Sequence, residues 1–401
     1  MMDGAGDFDG DRAFETVRTL SGRAFAGRRV ATAGHERARR WIEARLTGWG
    51  YEIGRHPFRY PTSIVDVVGS PTGSASTRRI ASRRLTYRRD FAEHPASAAN
   101  RRPLSGAVVR WNRDTNFRNR WVVSSADPGS PPLGQQIVQA AARDAIGFLI
   151  PFSVPRGGVI FKQLPAGAPF PLPTFFLRQE LLNSEWPTEI VLDVRVRRLP
   201  LTGMNLLAEV AGSDRALAHQ PLLLGAHYDA VGDDPDGRRF PGASDNASGV
   251  AVVLEVARAL REHQVAFPRP VWIAAFDAEE TGAYGAHALA AEFRHSGISP
   301  IVVNLDLSAL ADSPVVVEGS ANSLPLFRAL DVAAKRIGVP LAHGAVQSDN
   351  RQFAAVGFPS VGLGSGGRGY HTPSDGPGKV QPPALARSGA LLLAAIDELA
   401  G

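Results

Sequence analysis

The stretch "NASGVAVVLEVARALREH" (Asn246–His263) shows how the C-terminal half of the chain is built. Its residues Val252, Val253, Val256 and Leu260 recur at the spacing of one helix face. Short apolar runs flank it, "PLLLGAHYD" before and "VWIAAF" after, and bounded runs of this length are typical of buried strands. The order strand, helix, strand therefore predicts an α/β unit with parallel strands.

The same alternation extends in both directions from this stretch. Towards the C-terminus it gives strands in "PIVVNLDL" and "PSVGLG" and helices in "AHALAAEF", "SLPLFRALDVAAKRIG" and "LARSGALLLAAIDELA". Upstream lie a strand, "MNLLAEVAG", and near the N-terminus an amphipathic helix, "GHERARRWIEARLTGWGYE". We therefore predict an α/β fold, a three-layer α/β/α sandwich whose mixed sheet is mostly parallel.

The region between residues 65 and 198 has a different character. Short β-like runs alternate there with many Pro and Gly residues, and one helix is predicted in "GQQIVQAAARDA". A chain of 401 residues is long enough for about two domains. We predict a main domain formed by residues 1–64 and 199–401, and an inserted strand-rich α+β domain at 65–198.

Composition narrows the classes of function. The chain has no cysteine, so any metal must be held by His, Asp and Glu. The net charge of +5 comes from scattered arginines without a nucleic-acid-binding motif, so we expect no nucleic-acid partner. No stretch approaches the roughly 18 apolar residues of a membrane span, and no signal peptide is visible, so we expect a cytoplasmic protein without membrane contact. Secretion stays open if the N-terminus is trimmed, and the oligomeric state is not predicted.

Histidines and carboxylates follow successive strands of the main domain. In open α/β sheets, sites form beyond the carboxyl ends of the strands, so these side chains are expected at one edge. Two histidines with several carboxylates suit Zn²⁺, and the carboxylates exceed the need of one catalytic zinc. The set favours two ions about 3.5–4 Å apart sharing a carboxylate. Its members are His227, Asp229, Asp245, Glu279, Glu280, Asp306 and His371.

The pair Glu279 and Glu280, with Asp277 two residues earlier, points the same way. Adjacent like charges repel and cost desolvation unless they are solvated or surround a cation. Taken singly, each candidate has a structural explanation, since Asp245 alone would make a good helix N-cap. Together they favour a cation site, in which Asp277 has no assigned part and is expected to be structural.

The motifs "HYD", "GASDNASGVA", "FDAEETGAYGA", "NLDL" and "YHTPSD" resemble, in this order and spacing, those of the co-catalytic zinc aminopeptidases of metallopeptidase family 28. The resemblance covers roughly 1–64 and 199–401. Between them, "GQQIVQAAARDAIGFLIPF" and "PLPTFFLRQELL" are similar to the protease-associated domain that many members carry.

The resemblance implies two Zn²⁺ ions per chain and a peptide substrate. His227 and Asp306 would bind one zinc, Glu280 and His371 would bind the other, and Asp245 would bridge both.

It also assigns the catalytic residues. Glu279 would be the general base that moves a proton from water to the leaving amine. Asp229 would accept the other N–H of the His227 imidazole and fix its tautomer. Ser348 and Asp349 match a recurring pair and are interpreted as structural supports.

Three further residues are candidates for substrate binding. Tyr370 precedes His371 and would donate its hydroxyl to the developing oxyanion. Arg351 and Arg368 flank the same loop and would bind a terminal carboxylate in a carboxypeptidase-like member. The chain departs from the family pattern at Asn350, where His is common.

Three functions stay open at this point. The first is a zinc exopeptidase of the aminopeptidase type. The second is a carboxypeptidase-like or glutaminyl-cyclase-like relative, and the third is a non-catalytic binding module on the same scaffold. The complete ligand set, with Glu279 retained, argues against the cyclase and the binding module.

Overall fold

A computed structural model describes residues 8–113, 115–154, 158–264 and 266–400. Within these ranges the chain forms two compact units. Unit 1 contains the described residues of 1–59, 202–233 and 239–401, and unit 2 contains those of 60–201 and 234–238.

The strands of the described residues are β1 (Ile53–Ser76), β2 (Arg83–Leu85), β3 (Phe91–Glu93), β4 (Leu104–Arg110), β5 (Trp121–Val123), β6 (Gly147–Phe152), β7 (Thr174–Arg178), β8 (Glu189–Val210), β9 (Leu222–His227), β10 (Val271–Phe276), β11 (Ile301–Leu305), β12 (Val315–Gly319), β13 (Leu341–His343) and β14 (Ser360–Gly364). The helices are α1 (Gly10–Leu20), α2 (Ala33–Gly48), α3 (Leu133–Ala141), α4 (Gln179–Ser184), α5 (Ser248–His263), α6 (Tyr284–Ser296), α7 (Leu324–Ile337), α8 (Asn350–Ala355) and α9 (Pro382–Ala400).

The sheet of unit 1 is mixed and mostly parallel, as predicted. Its strands lie in the order β13-β12-β14-β11-β9-β10-β8. The neighbours β9–β10, β9–β11, β11–β14 and β12–β13 are parallel, whereas β12–β14 and β8–β10 are antiparallel. The parallel strands β10, β9, β11 and β14 therefore end at one common edge.

Alternation along β9 and β10 sends side chains to two separate cores. On one face, Leu222, Leu224 and Ile273 pack with residues of α1, α2, α5, α7 and α9. On the other face, Leu223 and Phe276 pack with residues of α6 and α8. Strands buried on both faces read as nearly continuous apolar runs, which is why "PLLLGA" and "VWIAAF" are recognisable in the sequence.

The helix that opened the sequence analysis begins later than its pattern predicts. The prediction started at Asn246, whereas α5 starts at Ser248. Residues Ala243–Ala247 form a π-type turn in which Asp245 (φ −115°, ψ 99°) and Asn246 (φ −127°, ψ 40°) have non-helical backbone angles. Asp245 is therefore not a simple N-cap, because its backbone turns before the helix begins.

Unit 2 has its own cores, and it contains residues 189–201 of β8. Its strands follow the order β8-β4-β5-β6-β7-β3, and the pairs from β4 to β7 are parallel. The fully buried Trp121 packs edge-on against Phe175, with ring centroids 5.9 Å apart, and its indole N–H donates to the Ile190 carbonyl at 2.9 Å.

A buried ionic cluster also belongs to unit 2. Arg88 pairs with Glu93 and, at 3.0 Å, with Asp234, whose other oxygen accepts from Lys162 at 2.8 Å. The pairing compensates these buried charges, because losing one partner would leave an uncompensated charge. No described helix combines the length and apolar character that a membrane crossing needs.

We predict that Gly225→Ala destabilises the protein. Gly225 lies in β9, and a Cβ there would lie 2.2 Å from the ring of the buried Phe276. Overpacking a core typically costs about 1–3 kcal/mol, so the free energy of unfolding in urea should fall by that amount. Gly48→Ala is the control, because a Cβ at this helical position meets nothing within 4 Å. Equal stability of Gly225→Ala and the wild type would contradict this packing.

Candidate metal centre

The common strand edge of unit 1 collects the predicted site residues. His227 is the last residue of β9, and Asp306 directly follows β11. Glu279 and Glu280 lie in the turn after β10, and His371 lies in the loop after β14. Asp245, in the turn before α5, completes the set.

Two groups of three possible ligands form there, and Asp245 belongs to both. In the first, His227 Nε2 lies 3.4 Å from Asp245 Oδ1 and 3.6 Å from Asp306 Oδ2. In the second, His371 Nε2 lies 3.1 Å from Asp245 Oδ2 and 2.7 Å from Glu280 Oε2. Asp245 thus offers one carboxylate oxygen to each group, as a bridging ligand must.

The donor set fits metal ions. His227 Nε2, Glu280 Oε1 and Asp306 Oδ1 are buried atoms with no hydrogen-bond partner among the described residues. Buried polar atoms are normally satisfied, so these three require a partner such as an ion. Imidazole nitrogens and carboxylate oxygens are borderline and hard donors that suit Zn²⁺.

The carboxylates and the imidazole at this edge have shifted pKa values. Burial raises the pKa of Glu279 well above its usual range, and that of Glu280 to about 7. Burial would lower the pKa of His371, but the Glu280 and Asp245 carboxylates outweigh it and raise that pKa to about 11. So many carboxylates share this edge that ionising all of them requires positive charge among them.

Glu279 lies beside the two groups without belonging to either. Its Oε2 is 3.9 Å from His227 Nε2, and its side chain is 18% exposed, so the carboxylate faces the accessible side. Adjacent Glu280 is 3% exposed and points to His371. The turn thus separates two neighbouring carboxylates, one buried among ligands and one partly exposed.

Asp229 has a role that the sequence did not reveal. Its Oδ1 and Oδ2 accept the backbone N–H groups of Glu279 (3.0 Å) and Glu280 (3.2 Å). Its contact with the His227 imidazole is longer, with Nδ1 at 3.5 Å from Oδ1 and at 3.3 Å from the Asp229 carbonyl. Asp229 therefore holds the turn that carries both glutamates, in addition to facing His227.

Asp375 is a second residue that sequence reasoning missed. It is buried, and its two oxygens accept the backbone N–H groups of Ser244 (2.8 Å) and Asp245 (3.2 Å). It ends the motif "YHTPSD", four residues after His371, and that spacing was the only signal for it. Asp375 links the loop that carries His371 to the turn that carries Asp245.

Asp277, expected to be structural, binds the N-terminal segment. Its Oδ1 lies 2.7 Å from Nε2 of His35 in α2, and its Oδ2 accepts the Met204 N–H at 2.8 Å. The His35 ring stacks on Tyr228, with centroids 5.1 Å apart. This contact fixes the end of β10 immediately before the glutamates.

The predicted substrate-binding residues lie in two places, with Tyr370 and Arg368 in the loop that carries His371 and Arg351 in α8. Tyr370 is 41% exposed and packs edge-on against His371, with centroids 5.3 Å apart. Arg351 pairs with Glu318 at 2.7 Å, and Arg368 with Asp312 at 3.2 Å. Both arginines therefore already have carboxylate partners, and their binding of substrate stays a prediction.

The pair predicted as structural supports lies just before α8. Ser348 and Asp349 are buried, and burial raises the pKa of Asp349 well above its usual range, with the Asp229 and Asp306 carboxylates adding to it.

The fold and the site define an α/β protein with a candidate two-metal centre at the C-terminal edge of its sheet. Residues 205–396 match the sequence profile described as "Peptidase family M28". The matched region carries every candidate metal ligand, so this part of the chain is similar to that family.

Named relatives and solved structures are also similar to this chain. The chain is 28% identical over 291 residues to the probable lipoprotein aminopeptidase LpqL of Mycobacterium tuberculosis, a match covering 67% of this chain and 52% of that protein. The structure of the zinc aminopeptidase BSAP from Bacillus subtilis matches with a TM-score of 0.74 and 21% identity, over 98% and 95% of the two chains. The structure of the aminopeptidase from Aneurinibacillus sp. strain AM-1 matches with a TM-score of 0.72 and 18% identity, over 98% of this chain and 94% of that chain. The match to LpqL spans only about half of that curated relative, and the two structural matches show the shared fold.

We predict that the contact between His35 and Asp277 stabilises the protein more at low pH. Burial opposes the charged imidazole, but Asp277 outweighs it and raises the pKa of His35 above its usual 6.5. A raised pKa gives stability that is fully present below pH 6.5 and is lost as the pH rises through the folded value. The difference in unfolding free energy between wild type and His35→Gln should therefore shrink as the pH rises above 6.5.

Urea unfolding across this pH range measures the difference. His295→Gln, at an exposed position in α6, is the control and should give a difference that is small at every pH. A His35→Gln difference that grows with pH would contradict a charged His35.

Proposed function

We propose that this chain is a zinc-dependent aminopeptidase with two Zn²⁺ ions. His227, Asp245 and Asp306 would hold one ion, and Asp245, Glu280 and His371 the other. The observation that carries the proposal is that Asp245 presents one oxygen to each histidine group. Support also comes from the relatives, since LpqL, BSAP and the Aneurinibacillus protein are all named aminopeptidases.

A bound zinc pair supplies Lewis acidity and lowers the pKa of water in the site. The chain's own residues would do the remaining work. Glu279 would take a proton from the attacking water as its oxygen bonds to the scissile carbonyl carbon. It would then deliver that proton to the departing amine nitrogen as the C–N bond breaks. Burial raises the pKa of Glu279, and a raised pKa makes its carboxylate a stronger proton acceptor.

Asp229 would keep this base in place. By accepting the N–H groups of both Glu279 and Glu280, it fixes the direction in which the two side chains leave the turn. Tyr370, next to His371, would donate its hydroxyl to the oxyanion that develops on the carbonyl oxygen.

We also propose that residues 65–198 form an inserted domain similar to a protease-associated domain. Support comes from the parallel strands β4 to β7 and the separate core of unit 2. The cytoplasmic location, and the absence of nucleic-acid and membrane partners, stay predictions.

Metal content and substrate polarity test the proposed function together. We expect about two zinc ions per chain by elemental analysis, and hydrolysis of aminoacyl anilides that chelator treatment abolishes. N-acetylated versions of the same anilides should not be cleaved. Cleavage of blocked peptides alone would contradict an aminopeptidase and favour the carboxypeptidase-like alternative, and an absence of bound zinc in a zinc-supplied sample would contradict the metal centre.

We predict that Glu279→Gln keeps its zinc and loses activity. General acid–base catalysis contributes about 10²–10⁴-fold, so kcat should fall by that factor with zinc content unchanged. Glu52→Gln, at an exposed position outside the centre, is the matched control and should retain full activity. Unchanged kcat in Glu279→Gln would remove Glu279 from the mechanism.

A further inference from the structure

Arg28 is a fully buried arginine in unit 1 that neither the motifs nor the mechanism uses. It ends the short 3₁₀ segment Arg23–Arg28, and its relative exposure is 0%. Within the described ranges it makes no salt bridge with a carboxylate, and its hydrogen bonds go to backbone carbonyls. A buried guanidinium is costly to desolvate, so an arrangement that satisfies it with backbone groups alone calls for a reason.

The guanidinium donates to carbonyls from three parts of the chain. Nε donates to the carbonyl of Tyr228 (2.9 Å). Nη1 donates to the carbonyls of Leu20 (2.9 Å) and Pro241 (3.0 Å), and Nη2 donates to those of Gly242 (2.8 Å) and Asp245 (3.5 Å). The planar fork of arginine offers five N–H donors at fixed angles, and all three nitrogens are used here.

Two of these three parts carry candidate metal ligands. Tyr228 lies between His227 and Asp229, and Gly242 opens the turn that contains Asp245. The Arg28 carbonyl also accepts the Ala230 N–H at 3.2 Å. One side chain therefore ties the exit of β9 to the turn before α5, which fixes the distance between the first histidine and the shared carboxylate.

The positive charge of Arg28 also helps to hold the candidate ligands together. The guanidinium interacts electrostatically with Asp375, Asp245, Asp229 and Glu280, which lie in or beside the centre. Arginine stays protonated in proteins, so it supplies a permanent positive charge beside carboxylates that otherwise repel one another. It can thus hold the ligands near their bound arrangement before any ion arrives.

We infer that Arg28 is a positioning residue of the metal centre, whose guanidinium fixes Asp245 relative to His227 at the separation that one ion held by both of them needs. The inference rests on the proposed function, because it takes these side chains to be zinc ligands. Arg28 touches no substrate, and it acts through the backbone of the ligands.

Arg28→Lys and Arg28→Gln each remove the guanidinium fork, the first with the charge kept and the second with the charge lost. Lysine keeps the charge but offers a point ammonium in place of the fork, and glutamine keeps two donors without charge. Zinc affinity of the metal-free full-length chain, measured by competition with a chromophoric chelator, should fall about 10- to 100-fold in both variants, as for other residues that orient ligands. The visible absorption of the cobalt-substituted variants should also differ from that of the wild type, because the ligand geometry changes.

Arg23→Lys is the matched control, since Arg23 lies exposed in the same segment and should keep wild-type zinc affinity. Folding of each variant is checked by circular dichroism and thermal unfolding without metal. Folded Arg28 variants with wild-type zinc affinity and cobalt spectrum overturn the inference, even if they are less stable, since that pattern marks a purely structural residue. Failure of both variants to fold with zinc present also overturns it, because Arg28 would then serve the fold as a whole.

The wild-type measurement separates this inference from the proposed function. If the wild type binds two zinc ions and the Arg28 variants bind them equally well, only the inference fails. If the wild type binds no zinc, the proposed metal centre fails and the inference fails with it.

Discussion

Carboxylates crowd one edge of the sheet in unit 1, and their mutual repulsion is the constraint on which the rest of the site depends. Asp245 stands at its centre, with an imidazole approaching each of its oxygens. Without cations, burial and mutual repulsion push the pKa values of Glu279 and Glu280 upward, while His371 holds a proton more strongly than usual. Such a site is poised to exchange its protons for metal ions, because deprotonated ligands and dications stabilise each other.

Buried charged residues keep the candidate ligands in place, mostly through hydrogen bonds with backbone N–H groups. Asp229 binds the N–H groups of the glutamate turn, and Asp375 binds those of Ser244 and Asp245. Asp277 anchors the end of β10 to His35 on α2. The ligands are thus positioned through their main chain, and His227 Nε2, Glu280 Oε1 and Asp306 Oδ1 remain available to ions.

The features of this structure that could be predicted are those that leave a pattern in the local sequence. The mostly parallel sheet and the position of α5 follow from apolar periodicity. The candidate site residues follow from their places near strand ends, and the choice of five among them as metal ligands rests on the resemblance to the family. The start of α5 was predicted two residues early, because apolar spacing says nothing about the non-helical backbone of Asp245 and Asn246. The contacts of His35 with Asp277 and of Asp375 with Asp245 join residues far apart in sequence, and no local pattern carries such information.

The shared carboxylate is the central claim, and zinc stoichiometry tests it most directly. Asp245→Ala and Asp306→Ala would be dialysed against the same free zinc concentration and measured by elemental analysis beside the wild type. A bridging Asp245 predicts about two ions in the wild type, about one in Asp306→Ala and close to none in Asp245→Ala. Retention of one full equivalent of zinc by Asp245→Ala would show that the two groups do not depend on one shared ligand, and would contradict the account.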